Sequence, residues 1–180
     1  MKKILLPAVA AAVLSSGMVQ AASTGTITFN GELTATTCNV IVDGQAADAT
    51  VALPTIGTNQ LASVTKTAGA TGFVMALSQC SGTLETASAF FEAGSSVDQA
   101  TGRLKNMTGD ATGVSLQLLD GSATGTSVIQ AGNQSQHLNT VYKDISAGSA
   151  NLPYIVRYYA EAPTTAGTVV SNVVYSIQYQ

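Results

Sequence analysis

The sequence predicts an all-β fold, an antiparallel sandwich or barrel, on three observations. Apolar residues recur at every second position through much of the chain, as they do in half-buried strands. Turn signals such as Asp120-Gly121 and Ala147-Gly148-Ser149 separate these runs. The runs are short, and many short strands between turn signals are typical of sandwiches and barrels. The 180 residues are enough for one domain with a core, and we find no linker, tandem repeat or second domain.

The first 21 residues have the pattern of a secretory signal peptide. Lys2 and Lys3 precede an apolar run over residues 4–14, and Val19 and Ala21 are small residues at the two positions that a signal peptidase reads. The run is too short to span a bilayer as a helix, although a retained N-terminal anchor is the alternative. We therefore expect an exported chain whose mature form begins at Ala22.

The charge pattern excludes two classes of partner. Charged residues are 9% of the chain, and without Lys2 and Lys3 five basic residues stand against ten acidic ones. A nucleic-acid partner requires a basic stripe, which is absent, and an acidic chain does not dock electrostatically on anionic lipid. Gly, Ser and Thr interrupt every later apolar run. We therefore expect neither nucleic-acid binding nor direct membrane insertion.

The first alternating run of the mature chain is an N-terminal arm, residues 22–34. Its apolar row is interrupted by a glycine and consists of Ile27, Phe29, Gly31 and Leu33, with Thr28, Asn30, Glu32 and Thr34 on the opposite side. Glycine weakens a strand unless another surface approaches too closely for a side chain. The run is either a segment that packs against a second surface or an ordinary first strand of the sheet.

The remaining elements follow in order along residues 35–180. Residues 55–66 are compatible with one short helical turn. Period-two rows then predict strands, and these rows are Phe73, Met75 and Leu77; Leu116 and Leu118; Tyr154, Val156 and Tyr158; and finally Val173, Tyr175, Ile177 and Tyr179. The last row ends one residue before the C-terminal Gln180. A half-buried strand at the end of the chain leaves its outer edge without a covering segment.

Cys38 and Cys80 are the two cysteines. In an exported chain they favour one disulfide, whereas two free thiols or half of a metal site are the alternatives. The only histidine, His137, lies in a polar stretch that predicts solvated surface. Catalytic motifs and clustered acids, bases or nucleophiles are absent from the sequence. We therefore expect no enzymatic activity, no metal and no cofactor.

Five segments in this order resemble the subunits of chaperone–usher fimbriae, and most of all the type 1 major subunit. They are GTITFNGELTATTCNV, GFVMALSQC, GVSLQLLDG, LPYIVRYYA and VVYSIQYQ. A glycine fourteenth from the C-terminus, Gly167, and a penultimate tyrosine, Tyr179, complete the resemblance, which covers almost the whole mature chain.

The resemblance implies a fold and a mode of assembly. The fold would be an incomplete immunoglobulin-like β-sandwich, the pilin fold, which lacks its final strand and is completed by a donor strand. The donor would be the arm of a neighbouring subunit through Ile27, Phe29, Gly31 and Leu33. The groove and chaperone-recognition strand would comprise Gly167, Val173, Tyr175, Ile177, Tyr179 and Gln180.

The function implied is that of a structural subunit of a surface fimbria that polymerises by donor-strand exchange and supports cell adhesion. Its partners would be identical or related fimbrial subunits in a head-to-tail fibre, a periplasmic chaperone and an outer-membrane usher. The chain would pass through the periplasm to the cell surface. The alternative is a minor or adaptor subunit, or a one-domain adhesin that binds a host or surface glycan.

Overall fold

The computed structural model describes residues 25–122 and 127–180, so the predicted signal peptide lies outside the described residues. These residues form nine strands, two short helices and the loops between them. The strands are β1 Thr37–Val42, β2 Thr67–Ser81, β3 Thr86–Phe91, β4 Leu104–Lys105, β5 Val114–Asp120, β6 Ser127–Ile129, β7 Lys143–Asp144, β8 Ala150–Ala160 and β9 Tyr175–Tyr179. The helices are a 3-10 turn, Thr58–Leu61, and α1, Gln136–Asn139.

The strands form two antiparallel sheets, as predicted for a sandwich. The first sheet has the order β1-β2-β8-β5-β4, and β6 also pairs with β5. The second sheet has the order β7-β3-β9. The 3-10 turn falls inside residues 55–66 and confirms the short helical turn predicted there.

The core is built from the alternating rows that the sequence shows. Met75 and Leu152 are 1% exposed and Phe91 is 2% exposed. The ring of Tyr154 lies between two phenylalanines, 5.8 Å from Phe73 and 5.1 Å from Phe91, centroid to centroid. Its hydroxyl accepts the backbone N–H of Ala89 at 2.9 Å, so the polar end of the buried tyrosine is satisfied.

Strand β5 departs from simple alternation because both of its faces are buried. Leu116 and Leu118 face the core, as predicted. On the other face, Ser115 donates to Glu161 at 2.6 Å and Gln117 accepts two hydrogen bonds from Arg157 at 2.9 and 2.6 Å. The polar row is therefore covered by side chains that satisfy its hydrogen bonds.

Cys38 and Cys80 form a disulfide that joins the start of β1 to the end of β2. This confirms the pairing that the sequence favoured over free thiols or a metal site. The cysteines are 42 residues apart, and closing a loop of that length stabilises a fold by about 4 kcal/mol on the loop-entropy model.

The helix α1 was not predicted, because the sequence indicates only a polar loop there. Its Gln136 is buried and binds both backbone groups of Phe91, accepting from the N–H at 2.9 Å and donating to the oxygen at 3.0 Å. The neighbouring His137 is exposed, as predicted, and its ring stacks on Phe90 at 5.0 Å. None of the helices within residues 25–122 and 127–180 has the length and hydropathy needed to span a membrane.

Candidate functional site: an apolar groove beside the last strand

The last strand, β9, lies at the edge of the three-stranded sheet. The Glu92 N–H donates to the Val174 oxygen at 2.8 Å, and Thr86 and Gln180 exchange two backbone hydrogen bonds of 3.0 Å. Backbone groups in an antiparallel strand point alternately to its two edges. Those of the intervening Ile177 therefore point away from β3, as do those of the residues two positions before and after it.

The same alternate residues turn their side chains toward the core. Val173, Tyr175, Ile177 and Tyr179 are half-buried and pack against the core, whereas Val174 between them is 70% exposed. This strand thus presents an apolar face to the interior and, within the described residues, an edge of backbone groups with no partner strand. An edge of this kind is a template for another strand.

A groove of about 640 Å³ lies beside the start of that edge, where Tyr175 is the residue of β9 that lines it. One wall consists of residues 169–175 and the other of residues 47–51 together with Leu53. The floor is the hydrophobic core itself, formed by Phe73, Met75, Phe91, Leu104, Leu116, Leu118 and Val156. The groove therefore reaches the core from one side of the sandwich, with its floor residues themselves buried, and an extended apolar segment is the kind of ligand that would fill it.

The wall opposite β9 is an extended segment outside any strand. Val51 and Leu53 are half-buried against the core. The side chain of Gln45 binds both backbone groups of Thr50, at 3.0 and 3.2 Å, and fixes the start of the segment. This wall is not predictable from the sequence, because two alternating apolar residues before Pro54 are too few to indicate a strand.

Two tyrosines of β9 reach across to the chain on the other side. The Tyr175 hydroxyl donates to the Ala47 oxygen at 2.8 Å, and the Tyr179 hydroxyl accepts the Cys38 N–H at 3.0 Å. Burial raises the pKa of Tyr175, and the carboxylate of Asp48 raises it further. One inserted strand requires two inter-strand spacings, about 9.6 Å. A tyrosine side chain together with one hydrogen bond spans about the same distance, so the space between β9 and the opposite chain has the width of one strand.

Gly167 lies two residues before the 169–175 wall and not within the groove. Its φ is +154°, and a Cβ there would lie 2.5 Å from the backbone nitrogen of Ala111 and 2.8 Å from the carbonyl carbon of Asp110. A side chain is therefore excluded by backbone atoms that cannot move aside cheaply. The glycine allows the start of the wall to pack directly on the loop over residues 106–111.

Asn106 makes five hydrogen bonds to backbone groups, of which three lie within that loop and two tie it to the wall and to the residue just before the wall. Its Oδ1 accepts from Gly109 and Val170, at 3.1 and 2.8 Å. Its Nδ2 donates to the oxygens of Gly109, Ala111 and Thr168, at 3.0, 2.9 and 3.1 Å. Nothing in the sequence pattern distinguishes this asparagine from others in loops, so only the structure identifies it.

Two of the six predicted groove residues line the groove, and the other four lie outside it. Val173 and Tyr175 line the groove, and Ile177 and Tyr179 continue the same row. Gln180 follows the row but is not part of it, because its backbone is bound to Thr86 on the β3 side. The predicted donor residues belong to the arm, where residues 25–36 form no helix or strand. Ile27, Phe29 and Leu33 are 77%, 89% and 101% exposed there.

Comparison with known proteins finds one family over most of this chain. A family model described as type-1 fimbrial protein, A, matches residues 53–180. The major fimbrial subunit SMF-1 of Stenotrophomonas maltophilia is 41% identical over 162 residues, which are 88% of this chain and 94% of that protein. The type-1 fimbrial protein A chain of Escherichia coli is 28% identical over 187 residues, 99% and 98% of the two chains.

Solved structures with the same fold include pilus subunits. The P pilus rod subunit PapA has a TM-score of 0.54 at 18% identity, over 79% of this chain and 99% of that one. A type I fimbria protein of Burkholderia pseudomallei has a TM-score of 0.53 at 24% identity, over 81% of this chain and 97% of that one. At these identities the likeness shows the fold.

Proposed function

This chain belongs to the type-1 fimbrial protein family and is a structural subunit of a pilus, and we propose that it polymerises by donor-strand exchange. The arm of one copy, residues 22–34, would enter the groove of the next copy. The single observation that carries the proposal is the groove, which has the hydrophobic core as its floor and lies beside a strand edge that has no partner strand within residues 25–122 and 127–180.

Arm and groove match in chemistry. The arm offers Ile27, Phe29 and Leu33 on one side, and burying each contributes roughly 1.5–3 kcal/mol. Its backbone would pair with the free edge of β9, and main-chain bonds of this kind supply affinity in strand addition. The donor and acceptor surfaces differ, so the contact is heterologous and builds an open filament instead of a closed ring.

The position where the arm joins the sandwich supports one orientation of the donor strand in the groove. Cys38, four residues after the arm, donates its N–H to Tyr179. The chain of each subunit therefore passes from its arm into the sandwich near the Tyr179 end of β9. A donor parallel to β9 would bring its own root to that same end and crowd the acceptor's arm. An antiparallel donor brings its root to the Val173 end. We therefore propose that the arm runs antiparallel to β9 and that growth is head to tail.

We further propose a route of export and assembly for the subunit. An unfilled apolar groove and an exposed strand edge make an empty subunit prone to aggregation. A periplasmic chaperone would cover the groove by binding along the row Val173, Tyr175, Ile177 and Tyr179. It would then deliver the subunit to an outer-membrane usher. The Cys38–Cys80 disulfide suits an oxidising compartment of this kind. The assembled fibre would support adhesion, and we assign no enzymatic activity to the chain.

Gly31→Leu is expected to reduce fibre growth by about tenfold or more. The hydroxyls of Tyr175 and Tyr179 bond to the chain on the other side, so an inserted arm would pass over these side chains and would have little depth beneath it there. A leucine above a ring would overpack the joint, at a cost of about 1–3 kcal/mol. Fibre mass per cell, measured by sedimentation and electron microscopy, tests this.

Glu32→Leu is the matched control, because residue 32 lies on the other side of the arm. It is expected to leave fibre mass close to that of the wild-type chain. Equal fibre mass from Gly31→Leu and the wild type would contradict the placement of the arm in the groove.

A further inference from the structure

The arm is attached to the sandwich at one buried residue, Thr36. It is 6% exposed, although every residue of the stretch 25–35 and Thr37 after it are exposed. Its hydroxyl accepts the N–H of Leu84 at 3.1 Å and the hydroxyl of Thr34 at 2.9 Å. Its own N–H donates to the Thr34 hydroxyl at 3.0 Å. A small polar residue is thus fixed in a socket formed by the turn between β2 and β3.

Gly82 closes the socket. Its φ is +128°, and a Cβ at this position would overlap the Oγ1, Cα and Cβ atoms of Thr36. The glycine therefore permits direct packing of the β2–β3 turn on the arm's root. Two residues farther on, the disulfide of Cys38 to Cys80 and its bond to Tyr179 fix the chain again. The chain is thus held at two successive points as soon as it leaves the arm.

Only Thr34 and Ala35 separate this anchor from Leu33, the last donor residue. The three Cα steps from Leu33 to Thr36 extend over no more than about 11 Å. If Leu33 is buried in a neighbour's groove, the β2–β3 turn of the donor must then lie against the rim of that groove. A longer, flexible connection would allow the two subunits to separate and rotate.

We propose that Thr36 anchors the arm and that Thr34 and Ala35 form the entire joint between successive subunits, so that this short tether sets the bending stiffness of the fibre. The inference rests on the proposed function. It adds that the position of the anchor, and not only the affinity of arm for groove, determines the mechanics of the polymer. In this role Thr36 is a positioning residue, since it acts through the arm that precedes it in the chain.

The test lengthens the joint without changing either binding surface. Insertion of Gly-Ser between Ala35 and Thr36 of the full chain is expected to leave fibres forming but to lower their persistence length in electron micrographs by about twofold or more. The matched control carries Gly-Ser between Gly25 and Thr26, on the free side of the donor residues. It is expected to leave the persistence length unchanged.

Substitution of the anchor gives a second measurement if the insertion prevents fibre growth. Thr36→Val keeps the shape but removes the acceptor for Leu84, and we expect more flexible fibres, whereas Thr36→Ser keeps the hydroxyl and restores the stiffness. Unchanged persistence length in both the joint insertion and Thr36→Val, or equal softening by the Gly25–Thr26 insertion, would overturn the inference. Absence of fibres from the wild-type chain would refute the proposed function instead.

Discussion

Moving residues 22–34 from the N-terminus to follow Gln180 is expected to give a soluble monomer that is far more stable than the same chain without the arm. β9 ends at Tyr179, so a segment attached there could turn back along the open edge, antiparallel to β9. Residues 22–26 would form the turn. Ile27, Phe29 and Leu33 would then cover the floor of the groove.

The expected gain follows from the area removed from water. Burial of three large apolar side chains contributes roughly 5–9 kcal/mol, and the entropy lost in ordering the segment offsets part of it. A net gain of a few kcal/mol corresponds to a rise in Tm of roughly 10 °C for a chain of this length. Size-exclusion chromatography and calorimetry measure the two properties.

The control for the transplanted arm replaces Ile27, Phe29 and Leu33 by serine in the same chain. Its backbone remains available to pair with β9, but the apolar contribution is removed. Equal melting temperatures for the transplanted chain, its serine control and the chain without an arm would show that the groove does not receive this segment.

Phe29→Asp is expected to abolish fibres. The substitution removes about 2–3 kcal/mol of burial and would place a carboxylate without a partner over an apolar floor, which costs several kcal/mol more. The subunit itself should fold as before, because Phe29 is 89% exposed in the separate chain. Electron microscopy of cells expressing the variant, with immunoblots of periplasmic extracts for subunit level, separates loss of assembly from loss of folding.

Thr28→Asp is the matched control, since it adds the same charge to the opposite side of the arm. Fibres are expected from this variant. If Phe29→Asp still assembled, or if Thr28→Asp failed equally, the apolar row would not be the surface that enters the groove.

The sequence predicts the parts of this fold that depend on local alternation. The rows through Met75, Leu116 and Tyr154 are core strands, and the row that ends at Tyr179 is a strand at a sheet edge. Period two is a property of neighbouring residues, so it can be read without knowing what each strand contacts. The disulfide was likewise favoured by cysteine count and compartment alone.

The sequence does not predict the features that depend on long-range contact. The wall at residues 47–53 has no strand signal, because its place is fixed by the core beneath Val51 and Leu53. The hydrogen bond from Tyr175 to Ala47 joins residues 128 apart. The socket of Thr36 depends on Gly82, in a turn that lies beyond all of β2. In each case the partner lies far away in sequence and carries no local pattern.

The structure gives a physical reason for the glycine at position 167, which the sequence shares with the family pattern. The position is not selected by a turn signal in its own segment. It is set by the backbone of Asp110 and Ala111, which leaves no room for a Cβ. A glycine that looks like a loop residue in the sequence is therefore a packing residue for the wall of the groove.

The central claim, that the arm of one copy fills the groove of another, is tested most directly by cross-linking within fibres. Phe29 is replaced by a photoreactive phenylalanine analogue, and fibres are grown from a mixture of isotopically labelled and unlabelled subunits. We predict that irradiation joins labelled to unlabelled chains, with arm peptides attached to residues 47–53, 169–179 or the core floor. Adducts confined within single chains, or attached to other surfaces, would contradict the account.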